Sequence, residues 1–72
     1  MPTDPAAVEP PPHPLPALTT YELVGYRCQL EHAIGTCERE HPASPALASL
    51  RTALAAVSAE QDGRAKIAAR HA

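Results

Sequence analysis

Apolar residues recur every three or four positions in two stretches of the chain, on either side of a short segment that contains two prolines. In the first stretch this repeat places the apolar side chains on one helical stripe that is roughly 100° wide. In the second stretch the leucines and a valine alternate by three and four, as on one face of a helix. The pattern therefore predicts two amphipathic helices. The first stripe contains Leu23, Tyr26, Leu30, Ala33, Ile34 and Cys37, and the second contains Leu47, Leu50, Leu54 and Val57.

Capping signals mark the start of the first predicted helix. Thr19 and Glu22 have the T-x-x-E spacing of a capping box, in which each residue satisfies a free backbone N–H of the other. Leu18 and Leu23 flank this box at the positions of a hydrophobic staple. These signals coincide, so the helix is predicted to start at residue 20.

Prolines separate the two predicted helices. Pro42 cannot continue a helix, and Ser44 followed by Pro45 is a typical N-cap with proline in the first helical position. Gly63 is a poor helix former, so the second helix is predicted to fray beyond it. The predicted elements are a helix at 20–40, a turn at 41–44 and a helix at 45–69.

A connection this short makes the two helices antiparallel neighbours. The predicted fold is therefore all-α, an antiparallel two-helix hairpin over residues 19–70. When the chain is folded about Pro42, the two apolar stripes meet in layers without adjustment. The predicted pairs are Cys37 with Leu47, Ile34 with Leu50, and Leu30 with Leu54.

Seven of the nine prolines lie within the first sixteen residues. Proline lacks a backbone donor and disfavours helical geometry in the residue before it, so residues 1–18 are predicted to form a disordered, extended leader. Pro11 to Pro14 fit the P-x-x-P pattern that aromatic grooves recognise. A tail this rich in proline matches that pattern almost inevitably, and a solvated leader is the expected state.

The predicted core is thin. The chain has 72 residues with two Tyr and neither Phe nor Trp, so few large side chains can be buried. A lone hairpin of this size is marginal and usually needs a disulfide, a metal or a partner. The composition therefore predicts association with another protein, either as a homodimeric four-helix bundle or by docking on a larger protein.

Charge and hydropathy narrow the class of partner. The net charge of −2 gives no drive toward nucleic acid, and no stretch approaches the ~20 apolar residues of a membrane span. The acidic, proline-rich N-terminus does not resemble a signal peptide. The expected location is the cytoplasm, where thiols stay reduced.

The pattern C-x3-H occurs twice, as Cys28 with His32 and as Cys37 with His41. Each pair spans one helical turn and could supply a thiolate and an imidazole to zinc. However, nine residues of helix rotate by about 900° and rise by about 13 Å, so the two pairs point in opposite directions. An unbroken helix therefore excludes one four-ligand site, and it excludes a disulfide, which needs Cα atoms within ~7 Å.

Each of these four residues also has a structural interpretation. Cys37 belongs to the apolar stripe, and His41 lies at the helix end, where an imidazolium favours the helix dipole. Cys28 and His32 lie on the far face near Tyr21 and Val24.

The sequence shows no catalytic motif. It therefore predicts a non-enzymatic interaction protein without metal or cofactor. The alternatives are zinc held by Cys28 and His32 of two chains, and a reactive thiol at Cys28.

Overall fold

A computed structural model describes Val8 and residues 11–70 of the chain. Two α-helices make up most of it: α1 spans Thr20–Glu40 and α2 spans Pro45–Arg70. A short 3-10 helix at Leu15–Ala17, here called the leader turn, precedes them. The two helices pack against each other. The predicted all-α hairpin is confirmed.

The capping box fixes the start of α1. The Glu22 N–H donates to Thr19 Oγ1 at 3.0 Å, and the Thr19 N–H donates to Glu22 Oε1 at 2.9 Å. The bond from the Thr19 N–H favours the ionised carboxylate and holds the pKa of Glu22 below its usual value. This stabilisation is therefore present above the ordinary carboxyl pKa, and it is lost as the pH falls through the lowered pKa.

Hydrogen bonds cap the end of α1 and the start of α2 on either side of the turn. The His41 N–H donates to the Cys37 carbonyl at 2.7 Å at the end of α1, and Ser44 Oγ accepts the Ala46 N–H at 3.2 Å at the start of α2. α2 is continuous through Gly63 and extends to Arg70. The fraying predicted after Gly63 stays a prediction.

The two apolar stripes meet between the helices. Of the nine side chains predicted for the core or an interface, seven are buried, and Tyr26 and Leu54 are half-buried against them. Leu18 and Ala33 complete the cluster. The buried residues are Leu18, Leu23, Leu30, Ala33, Ile34, Cys37, Leu47, Leu50 and Val57.

The end of the leader differs from the extended tail that the sequence predicts. Leu15–Ala17 forms the leader turn, and Leu18 is only 4% exposed. The reason is a contact from far along the chain, because the Arg64 side chain lies against the backbone here and donates to it. The disorder predicted for residues 1–7, 9 and 10 lies outside the residues that the structure describes.

Candidate interaction surfaces

The hairpin has two seams where its helices meet, and one of them is closed by polar contacts. Arg27 Nη1 donates to Gln61 Oε1 at 2.7 Å, and Arg51 Nη2 lies 3.4 Å from Glu38 Oε2. Both contacts cross from one helix to the other.

The other seam is an apolar groove. Successive helical residues are about 100° apart, so Tyr26 lies on the opposite flank of the buried stripe from Arg27. The groove has a volume of about 270 Å³. Val8 of the leader also borders it and is half-buried there against the core. The helix residues that line the groove are Tyr26, Leu30, Ala46, Ser49, Leu50 and Ala53.

A second cavity of about 280 Å³ lies where the leader meets α1. Pro11 and Pro12 line one side of it, and Tyr21 and Tyr26 line the other. Gly25 lies between the tyrosines, where an added Cβ would have no neighbour within 4 Å, so the helix surface is open at this point. Both cavities are smaller than the ~300–1,000 Å³ typical of small-molecule sites, and each suits one or two side chains of a polypeptide.

The outer face of α1 is the third surface, and it consists of Tyr21, Val24, Cys28 and His32. Tyr21 is 88% exposed and Val24 is 48% exposed, although both are large apolar residues. The spacings of three and four residues place Cys28 and His32 on the same face, and both side chains are exposed. This face therefore combines apolar surface with a free thiol and an imidazole.

The structure separates the two C-x3-H pairs as the helical rotation requires. Cys28 is exposed and Cys37 is buried, and both are free thiols. The Cys37 thiol lies 3.5 Å from the carbonyl oxygen of His41 and donates to it. Within residues 11–70 and Val8, no three His, Cys, Asp or Glu side chains are grouped so that they could hold a metal ion. Zinc binding by Cys28 and His32 of two chains stays a prediction.

Arg64 is the residue whose importance the sequence does not show. Its spacing from Glu60 predicts an i,i+4 ion pair, and Arg64 Nε does lie 3.1 Å from Glu60 Oε2. In addition, Arg64 Nη2 lies 2.7 Å from the carbonyl oxygen of Leu18, 3.2 Å from that of Leu15 and 3.4 Å from that of Pro16. The only sequence signal is indirect: a proline-rich stretch has more carbonyl acceptors than N–H donors, so it needs donors from elsewhere.

In the described part of the chain, neither helix has a stretch that is both long and apolar enough to cross a membrane. Comparison of the chain with protein-family models, with curated proteins and with solved structures finds no match.

The two cysteines should respond differently to the same substitution. At a concentration where the chain is a single hairpin, Cys28→Ser should leave the free energy of unfolding within about 0.5 kcal/mol of wild type, because the side chain is exposed there. Cys37→Ser should cost about 1 kcal/mol, because it places a hydroxyl in a fully buried site where the His41 carbonyl offers one acceptor. Urea unfolding of reduced protein measures both values.

If zinc binds the outer face of α1, Cys28→Ser becomes the more damaging of the two cysteine substitutions in the presence of zinc. Cys28→Ser and His32→Ala would then remove ligands and abolish a zinc-dependent rise in the melting temperature, and Cys37→Ser would retain that rise. We expect zinc to leave the wild-type melting temperature unchanged. A zinc-dependent rise that Cys28→Ser removes, and that declines at acid pH as the ligands protonate, contradicts this expectation.

Proposed function

We propose that this protein is a non-enzymatic interaction module that pairs with a second copy of itself through the outer face of α1. The observation that carries the proposal is the exposure of Tyr21, which is 88% accessible and lies one turn from the half-exposed Val24. Large apolar side chains that are adjacent on one helix face are typical of a binding surface. The product is an assembly of four helices, two from each copy.

The composition of the core supports association. None of the nine buried residues is aromatic, and the largest are Leu and Ile. A partner that binds only the folded chain raises its stability by mass action. Pairing through Tyr21 and Val24 adds apolar burial that one hairpin does not provide.

The spacing along α1 supports a symmetric pairing about Cys28. Tyr21 lies seven residues before Cys28, and Gly35 lies seven residues after it. In an antiparallel pair of α1 helices that cross at Cys28, Tyr21 of each copy lies opposite Gly35 of the other. Glycine leaves room for the aromatic ring, and its neighbour there is the end of the flexible Arg39 side chain. Such self-complementarity is what a two-fold interface requires.

The test is sedimentation equilibrium combined with thermal unfolding at several concentrations. Wild type should have a dimeric mass, and its melting temperature should fall on dilution. Tyr21→Ser with Val24→Ser should give a monomer. The matched control is Ile67→Ser, which removes a residue that is 57% exposed on α2 and should leave the dimer intact.

A monomeric wild type whose melting temperature is unchanged over an approximately hundredfold dilution contradicts the proposal. Docking on a larger protein through the same face would then be the remaining form of the interaction function. An unchanged dimer in the Tyr21→Ser, Val24→Ser variant would show instead that another surface mediates pairing.

The second candidate function is a metal- or redox-responsive protein. The observation that favours it is the exposure of Cys28 beside His32 on one face, where a two-fold pairing that crosses between these two residues, and not at Cys28, would bring two thiols and two imidazoles together. The zinc experiment with Cys28→Ser tests this candidate. For either function we propose a location in the cytoplasm, where an exposed thiol such as Cys28 stays reduced.

A further inference from the structure

We propose that the apolar groove is a binding site for an extended segment of a partner protein, with Val8 of the chain's own leader as its internal competitor. The segment would carry one large aliphatic side chain a few residues before a pair of prolines. The groove shares no residue with the outer face of α1, and the adjoining cavity shares only Tyr21 with it.

The leader shows which chemistry the groove accepts. Val8 is half-buried against the core and borders the groove beside Tyr26 and Leu30. Three residues further along the chain, Pro11 and Pro12 line the cavity beside the two tyrosines. An aliphatic side chain in an apolar site, followed by prolines on aromatic surfaces, is a recognised mode of binding extended peptides.

The α2 side of the groove is shallow, so a polypeptide chain can lie close to the helix. Ala46, Ser49 and Ala53 follow each other at spacings of three and four and form one side of the groove. Leu30 and Leu50 lie beneath them and belong to the core. The binding surface is therefore mostly apolar, and its shape is held by residues that belong to the core.

Val8 underfills this site, which favours a partner with a larger side chain. About 270 Å³ of space remains in the groove while Val8 borders it. Isoleucine or leucine at the same position would occupy more of that space and bury more apolar surface. A second copy's leader offers only the same valine, and it would compete with a tethered leader that has a high effective concentration.

A competing segment can replace the leader in the groove, because the leader is held there without hydrogen bonds. Among the described residues, Val8, Pro11 and Pro12 take part in no hydrogen bond to the helices, so these contacts are apolar. The polar anchor of the leader lies elsewhere, at the Arg64 contacts with Leu15, Pro16 and Leu18. A competing segment can therefore displace Val8 while the anchor stays in place.

The test uses the full ¹⁵N-labelled chain and synthetic peptides with the sequence of residues 4–14. One peptide carries Val8→Ile, and a control peptide carries Val8→Asp. The protein is either wild type or the Val8→Asp variant, whose leader no longer competes. The Val8→Ile peptide should shift the amide signals of Leu30, Ser49 and Ala53 in the variant and should bind wild type at least about tenfold more weakly. The Val8→Asp peptide should cause no such shifts.

Four results overturn the proposal. The first is an absence of shifts in the groove of a Val8→Asp protein whose helix signals match those of wild type. The second is equal affinity for both proteins, which would mean that Val8 does not compete. The third is a concentration dependence of the groove signals in wild type without peptide, which would identify a second copy as the occupant. The fourth is a set of peptide-induced shifts confined to Tyr21 and Val24, which would place the peptide on the outer face of α1 and not in the groove.

Discussion

Leu30→Ala should destabilise the hairpin by about 2–5 kcal/mol, the range for a fully packed leucine. Leu30 is 1% exposed, belongs to the core and forms part of the groove, so its removal leaves a cavity that neighbours on both helices must collapse to fill. A small domain has only about 5–15 kcal/mol of stability in total. A large share of the molecules should therefore unfold at modest urea concentrations, and circular dichroism at the helix band measures the loss.

Two further variants make this result specific. Thr52→Ala, at an exposed position of α2, should change the stability by less than about 0.5 kcal/mol. Leu54→Ala should cost less than Leu30→Ala because Leu54 is half-buried, and the two changes should be non-additive because the sequence predicts that these residues pair. Strict additivity in the double-mutant cycle would contradict the predicted pairing of the two helices.

Arg64→Met should cost about 1.5 kcal/mol, the lower end of the range for hydrogen bonds to a charged group, because the guanidinium is partly exposed. Methionine keeps the apolar stem of the side chain and removes the donors to Leu15, Pro16 and Leu18. The leader turn should detach, and the amide of Leu18 should exchange faster. Amide hydrogen exchange measured by NMR reports this directly.

The matched control is Arg51→Met, which removes an arginine whose ion pair with Glu38 joins the two helices. Its contact with Glu38 is exposed on both sides and should contribute less than about 0.5 kcal/mol. Equal effects of the two substitutions, or an unchanged exchange rate at Leu18 in Arg64→Met, would show that Arg64 does not anchor the leader.

The features that the sequence predicts well are those set by neighbouring residues. The capping box of Thr19 and Glu22 depends on residues three apart, and it forms in the structure as predicted. The apolar stripes depend on spacings of three and four, which one helix enforces, and they indicate the buried faces of both helices. Because Pro42 ends α1 and the turn is short, the two helices can then pack only as antiparallel neighbours.

The features that the sequence does not predict depend on contacts between distant residues. Arg64 and Glu60 have the spacing of an ordinary helix pair, and nothing in that spacing indicates the leader carbonyls as further partners. The groove could not be predicted for the same reason, since its lining includes Val8 and Tyr26, which are far apart in the sequence. The outer face of α1 could be recognised, because Tyr21 and Val24 fall outside the buried stripe by helical spacing alone.

The Arg64 anchor also bears on the order in which the chain assembles. The hairpin grows outward from a short turn, so each contact closes a small additional loop; the anchor instead joins residues 46 to 49 positions apart in a single step. Closing a long loop is slow, because the chain loses conformational entropy before the contacts that stabilise the closed loop have formed. The leader should therefore dock last and open first, as a unit of lower stability on a hairpin that has already formed. The amides of Ala17 and Leu18 should then lose protection from hydrogen exchange before that of Leu30.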